Sequence, residues 1–481
     1  MQGFSVAPAG EGPLTEVPAE GMRRIRMWGF FVAVGGFLFG FDTGVISGAL
    51  LFIRSEFHMN SFEQGSVVSV LVLGAMAGAL MAGRLADRYG RRQALRLEGL
   101  VFLIGTAIAA FAPGYGVLLA GRLVLGLAVG AASATVPIYL SEISPKGVRG
   151  RMLSLNQLMI TIGILAAYLV NVVFSGAGNW RAMIGAGAVP ALVIVAATLW
   201  SLPESPVWLL ARGRKGQARR LIASVTNPAT ADRLIERFEN RQETERRQDA
   251  VQGRDEKQRA GARTLLAAQV RPALIVGLAL AALQQFGGIN TIIYYAPTII
   301  EQTGLTASNA IVYSIAIGVI NLVMTIVAIR AIDRAGRRRL MLFSLAAMTV
   351  TMALLGLAFV ADFSSVLSLV FMVLYIAAYA VGLGPVFWTL IGEIFPPRAH
   401  AAGSSASTAV NWASNFVVSL VFLPIAHAIG QGETFWIFGL ISLLGLLFVA
   451  RFVPETKGRD FDEVDADLQS RFGRRPAGAS R

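Results

Sequence analysis

The chain contains no cysteine, which excludes disulfides, thiol nucleophiles and Cys-ligated zinc. Histidine is almost as scarce. The three present, His58, His400 and His427, are far apart, so a His-based triad or metal cluster has little support. Charge is scarce too: Asp, Glu, Lys and Arg make up 15% of 481 residues, against about 25% in soluble domains. What charge there is leans basic, with 42 Lys+Arg against 29 Asp+Glu and a formal charge of +13. That excess would suit a nucleic-acid binder, but a hydrophobic fraction of 55% argues against one.

The hydrophobic residues fall in runs long enough to cross a bilayer, for which about 20 residues are needed. Twelve such spans are predicted, near 28–50, 64–86, 94–112, 117–140, 152–174, 181–202, 271–300, 308–331, 340–361, 364–391, 403–424 and 434–453. Glycines recur inside them, as at Gly74, Gly78 and Gly83. Small residues at this spacing let membrane helices approach closely.

Basic residues occupy alternate loops. Arg88, Arg91 and Arg92 follow span 2, Lys146, Arg149 and Arg151 follow span 4, and Arg334, Arg337, Arg338 and Arg339 follow span 8. The opposite loops 112–116, 302–307 and 361–364 have none. The positive-inside rule then places both termini in the cytoplasm. The net charge becomes a topology signal, and no nucleic-acid partner is expected.

Five segments follow. Residues 1–22 are rich in Gly, Pro, Ala and Glu and are expected to be disordered. Arg23, Arg24 and Arg26 then precede span 1, whose apolar run is too long for a signal peptide. Residues 23–202 and 271–453 form two six-helix halves. Between them 203–270 is a polar cytoplasmic insert, with helical composition at Gln217–Ser224 and Arg233–Arg247. Residues 454–481 are a cytoplasmic tail.

The halves repeat each other. Asp87-Arg88-Tyr89-Gly90-Arg91-Arg92 returns as Asp333-Arg334-Ala335-Gly336-Arg337-Arg338. Ser141-Glu142-Ile143-Ser144-Pro145 returns as Gly392-Glu393-Ile394-Phe395-Pro396, and Pro203-Glu204-Ser205 as Pro454-Glu455-Thr456. Three matches in order at nearly one offset indicate duplication. Repeated halves are a transporter architecture, with the site between them near the midplane.

Further motifs are Gly83-Arg84-Leu85-Ala86 ahead of Asp87, Pro203-Glu204-Ser205-Pro206, Gln284-Gln285-Phe286-Gly287-Gly288-Ile289-Asn290 with Tyr294-Tyr295, and Pro454-Glu455-Thr456-Lys457-Gly458. With these the chain resembles a sugar porter of the major facilitator superfamily, over about residues 28 to 460. The resemblance implies an all-α membrane protein of twelve transmembrane helices in the major facilitator fold, with a cytoplasmic helical insert. It also implies the cell (inner) membrane as location and monosaccharides or related polyols as cargo.

Asp42 lies within span 1 and Arg122 within span 4. Charges inside membrane helices are costly and usually paired or functional. From the expected outer ends, Asp42 lies ~12 Å and Arg122 ~8 Å deep at 1.5 Å per residue. The two can therefore meet. A static salt bridge and a proton switch both fit. Burial favours a neutral acid and a nearby cation favours a charged one, so moving Arg122 relative to Asp42 would change proton affinity. In bacterial sugar–proton symporters, to which this chain is similar, the matching Asp couples the proton, whereas facilitative relatives often have Asn.

A neutral polyol needs donors and acceptors in fixed places and apolar faces to lie against. Amide side chains both donate and accept. Span 7 offers Gln284, Gln285 and Asn290, then Tyr294; span 5 offers Gln157; span 11 offers Asn411 and Asn415. Phe39, Trp388 and Trp412 are the aromatic candidates. Gly287-Gly288 could bend span 7 around a ligand. Each amide could instead be an interhelical hydrogen bond. The resemblance matches Gln157, Gln284, Gln285, Asn290, Trp388 and Asn415 to sugar contacts and Tyr294 to an outer gate.

Arg84, Asp87, Arg88, Arg91, Asp333, Arg334 and Arg337 sit at the inner ends of spans 2–3 and 8–9. Glu142 with Arg149 and Glu393 with Arg398 are the pairings expected near spans 4–5 and 10–11. Glu204 and Glu455 add acids after spans 6 and 12. These groups read either as an ionic latch or as a solvated basic face. Two departures from the family pattern stand out: Ile329 where Gly83 opens the first motif, and His400 in place of the Arg that matches Arg149.

The expected function is a proton-coupled symporter importing a neutral monosaccharide. Its partners are a sugar, a proton and the lipid bilayer, and the chain is expected to act as a monomer. No metal, cofactor or enzymatic activity is implied. A uniporter of the same fold and a non-transporting sugar sensor are the alternatives.

Overall fold

The computed structural model describes residues 13–15, 17–251, 265–396 and 399–473. Among them there is no strand, and twelve helices are long and apolar enough to cross a membrane, from Ala19–Glu56 to Gln431–Phe452. They are the spans expected from the sequence, mostly longer than their apolar cores because polar turns extend past them.

Backbone-to-backbone packing holds the first half together. On span 2, a Cβ added at Gly78 would lie 2.1 Å from the Leu127 carbonyl oxygen of span 4; one added at Gly130 of span 4 would lie 1.9 Å from that of Ala75. Such contact replaces the hydrophobic drive that lipid does not supply between helices.

Three spans are broken. Span 6 divides into Trp180–Gly185 and Ala188–Trp200, span 7 into Arg271–Phe286 and Ile289–Glu301, and span 10 into Ser365–Val381 and Leu383–Glu393. The span 7 break falls at Gly287-Gly288, where Gly288 has φ +95°. The Tyr375 hydroxyl donates to the Gly287 carbonyl at 2.6 Å, so the interrupted backbone stays satisfied inside the apolar layer.

The motif loops Asp87–Arg92 and Asp333–Arg338 lie at one end of the bundle, called here the basic end. At the opposite end the two halves are joined. Arg54 of span 1 bonds to Glu301 of span 7, and the Tyr168 hydroxyl donates to the Ile293 carbonyl at 2.9 Å. A Cβ added at Gly65 of span 2 would lie 2.4 Å from the Leu420 oxygen of span 11.

The insert contains helices Pro206–Ala211, Lys215–Val225 and Pro228–Val251. The last two contain both stretches expected to be helical. Arg219 and Asp232 join them through bonds of 2.6 and 2.8 Å, and Arg24 anchors them to span 1 by donating to the Ser224 carbonyl at 2.9 Å.

The expected disorder of 1–22 needs correction. Residues 1–12 and 16 lie outside the described residues, but Leu14 is buried and the first helix starts at Ala19. Gly21 explains this: it packs against the Val225 carbonyl of the insert, so the first turn gains contacts that composition alone does not reveal. The tail also carries a helix, Phe461–Arg471, which Gln469 ties to the Gln269 carbonyl at 2.6 Å.

Candidate functional site

Span 1 brings Asp42 and span 4 brings Arg122 into one buried ion pair. Arg122 Nη1 donates to Asp42 Oδ1 at 2.8 Å, with only 1% and 3% of the two side chains exposed. Arg122 Nε also donates to the Val67 carbonyl of span 2 at 3.1 Å, so one guanidinium ties three spans. Asp42 Oδ2 is buried and has no hydrogen-bond partner.

Span 7 and span 11 bring four of the amides together. Asn411 Nδ2 donates to Gln284 Oε1 at 2.6 Å, Gln285 Nε2 donates to Asn411 Oδ1 at 3.1 Å, and Asn290 Nδ2 donates to Gln285 Oε1 at 2.7 Å. Gln284 Nε2 donates across to the Gly384 carbonyl, beside the span 10 break, at 3.1 Å. The break in span 7 lets Asn290 turn back onto Gln285. An amide set that satisfies itself can exchange these bonds for hydroxyls without leaving a buried group unpaired.

Tyr294 lies between the ion pair and Asn415 of span 11. Its side chain, from the second half, lies beside Asn415 of span 11 and Thr43 of span 1, within the electrostatic reach of Asp42 and Arg122. The sequence reading passed over Thr43, although it follows Asp42 directly.

The other candidates are placed differently. Phe39 packs on Trp412 at 6.0 Å, an aromatic contact between the halves. Trp388 is 46% exposed, and its ring lies 4.9 Å from that of Phe387. Gln157 is exposed and does not join the amide cluster.

The repeat of the two halves holds in their structure as well as their sequence. The Gly90 and Gly336 loops are near copies: Glu204 Oε1 accepts from the Arg91 and Arg92 amides at 2.8 and 3.2 Å, and Glu455 accepts from the Arg337 and Arg338 amides at 2.9 and 3.2 Å. The family pattern described as "Sugar (and other) transporter" matches residues 28–468. The chain belongs to this transporter family. The D-xylose transporter of Levilactobacillus brevis is 37% identical over 449 residues, 92% of this chain and 96% of that protein. The galactose-proton symporter of Escherichia coli strain K12 is 35% identical over 455 residues, 94% and 96% of the two chains. The inward-open xylose transporter of E. coli matches with a TM-score of 0.79 at 28% identity, covering 92% of this chain and 99% of that one. The major facilitator fold expected from the motifs is therefore present, and the family consists of transporters rather than enzymes.

Within this transporter the charged motifs form a different set of pairs from the one expected. Glu142 does not take Arg149. It takes Arg91, whose Nε and Nη2 each donate to it at 2.9 Å, while Arg91 Nη1 donates to Asp87 at 2.9 Å. Glu393 takes Arg337 at 3.0 Å in the second half. The cause is geometric: the loop glycine turns the first Arg of span 3 or span 9 back over the end of span 4 or span 10. Arg149 Nε is buried without a partner. Arg398 and the Asp333 side chain lie outside the described residues. Arg84, Arg88 and Arg334 are exposed, with Arg88 over the Tyr89 ring at 5.3 Å. Burial pushes the Glu204 carboxyl above the usual carboxylate range, and the Ser205, Arg92 and Arg91 amides pull against that rise. His400 Nε2 donates to the Gly392 carbonyl, 3.1 Å away, rather than reaching an acid.

The sequence reading also missed Glu98, an acid inside span 3, and the Arg54–Glu301 bridge. The signal that located Asp42, a charge within a span, was available for Glu98 as well.

Proposed function

We propose that the chain imports a neutral monosaccharide together with a proton by alternating access of its two halves. The Asp42–Arg122 pair, buried and within reach of Tyr294, carries this reading. A proton arriving on Asp42 weakens its hold on Arg122, which frees span 1 to move against spans 2 and 4. Tyr294 passes that movement to the amides of spans 7 and 11. The names of the galactose and xylose relatives support a sugar and a proton as the two cargoes. The amide cluster contains no charged side chain, which suits a neutral polyol. One proton moving down ~100 mV supplies ~2.3 kcal/mol, enough for roughly fifty-fold accumulation.

The alternating basic loops support both termini in the cytoplasm and the chain in the cell membrane. A monomer suffices, because both halves of the site come from one chain. With that orientation the structure is closed to the outside. In this form Arg91, Glu142 and Glu204 pair within the first half and Arg337, Glu393 and Glu455 within the second; an inner latch would form when these groups exchange partners across the halves. The test is uptake of a panel of radiolabelled pentoses, hexoses and inositol in proteoliposomes, with and without a pH gradient. Accumulation only with the gradient supports symport. Equal, non-concentrative uptake in both conditions would show a uniporter.

A further inference from the structure

Two acids are buried inside the spans among the described residues, Asp42 and Glu98. Asp42 has Arg122 beside it. Glu98, on span 3 and 4% exposed, has no cation beside it. Thr135 Oγ1 of span 4 donates to its Oε1 at 2.6 Å. Its Oε2 is buried and has no partner. Glu98 borders a small, mostly apolar cavity of about 10 Å³ between Leu38 of span 1, Leu95 and Phe102 of span 3, Ala128 of span 4 and Ile194 of span 6.

The charged and titratable groups on the surrounding spans are engaged elsewhere. On span 1, Asp42 holds Arg122 of span 4. Also on span 4, Tyr139 donates to the Pro203 carbonyl and Glu142 holds Arg91. On span 6, Arg181 holds Glu56. On span 2, Arg84, Asp87 and Arg88 are at the basic end. On span 3 itself, Arg92 donates to the Thr198 carbonyl and Arg96 bonds to Gln93. A carboxylate at Glu98 would therefore be an unpaired buried charge, which proteins avoid by keeping the group neutral.

We propose that Glu98 is a second proton-binding site, separate from Asp42. The acid holds its proton on the otherwise unpartnered Oε2 and accepts the Thr135 hydroxyl on Oε1. Leu38 lines this cavity one helical turn before Asp42 on span 1. A displacement of span 1 would admit water and let the proton leave. This site does not depend on the identity of the sugar or on the coupling role of Asp42.

Infrared spectroscopy of the full chain in lipid nanodiscs, without sugar, tests it. At pH 7 the wild type and Asp42→Asn should both show the carbonyl stretch of a protonated carboxylic acid, and Glu98→Gln should lack it. Thr135→Val should move that stretch to higher frequency, because the carbonyl loses a donor. This variant keeps the proposal testable if Glu98→Gln does not fold. Titration to high pH should remove the band. Absence of the band in Asp42→Asn at pH 7, or an unchanged frequency in Thr135→Val, overturns the assignment. Loss of proton-driven uptake in Asp42→Asn with the band retained would bear on the symport reading alone.

Discussion

Arg122 reaches Asp42 through one nitrogen and one oxygen, 2.8 Å apart, and leaves the second oxygen of the acid buried and bare. A fully satisfied buried pair would resist protonation. A half-satisfied one offers a proton a vacant oxygen while the other still holds the cation. Removing one partner of a buried pair is usually severe, at about 3–5 kcal/mol, because it strands the other charge. The amide of Asn keeps an oxygen for Arg122.

For that reason Asp42→Asn should fold and should still exchange labelled sugar across the membrane, but should lose accumulation driven by a pH gradient. Counterflow and gradient-driven uptake, measured side by side in proteoliposomes, check this. Concentrative uptake by the variant would falsify the coupling role.

Gln284 gives its oxygen to Asn411 and its nitrogen to the Gly384 carbonyl. Gln284→Ala removes a partner that sugar hydroxyls would use, at about 1–3 kcal/mol. Equilibrium sugar binding by the purified protein should weaken by roughly five- to 150-fold. Unchanged affinity removes Gln284 from the site.

The Arg54–Glu301 bridge joins the halves at the end opposite the motif loops. It is partly exposed, so its contribution is about 1 kcal/mol or less, up to a roughly five-fold shift in a two-state equilibrium. Arg54→Ala should populate a form with that end open. The chain has no cysteine of its own, so labels at Phe62→Cys and Ile429→Cys are specific. Electron-spin distances between them should lengthen in the variant, and an unaltered distribution would count against the bridge as a gate.

Gly90 has φ +98° and ψ 159°, a region open essentially to glycine alone. A Cβ there would also lie 2.3 Å from the Glu204 carboxylate, and one at Gly336 would lie 2.7 Å from that of Glu455. Gly90→Ala and Gly336→Ala should each destabilise the protein by about 1–3 kcal/mol from backbone strain. Thermal unfolding in detergent measures the loss, and equal melting of wild type and variants would contradict it.

Arg91 holds Glu142 and Asp87, whereas Arg149 holds neither. Arg91→Ala should cost about 1.5–3 kcal/mol through lost charged hydrogen bonds, and Arg149→Ala about 0.5 kcal/mol or less. The same unfolding assay ranks them. A larger loss for Arg149→Ala would restore the pairing expected from the sequence.

Much of the site could be read in advance because its signals are local or repeated. Asp42 and Arg122 declared themselves as charges among apolar residues, and simple depth arithmetic let them meet. The break at Gly287-Gly288 was legible because two glycines in a row weaken any helix. The Glu142 partner was not, since it depends on how a glycine turn aims Arg91 in three dimensions. Gln157 and Trp388 carry the right chemistry, yet neither joins the amide cluster, because a residue type says nothing about which way a helix face turns.

The sequence by itself determined the twelve spans, the repeat of the halves and the alternation of basic loops. Each follows from the cost of placing polar groups in hydrocarbon, which acts residue by residue. Only the tertiary structure decided which charges pair, which amides bond to one another and at which end the halves are joined. Those outcomes rest on contacts of a few ångströms between segments more than a hundred residues apart, as between Gln285 and Asn411. The energy of such contacts depends on geometry that no local pattern encodes.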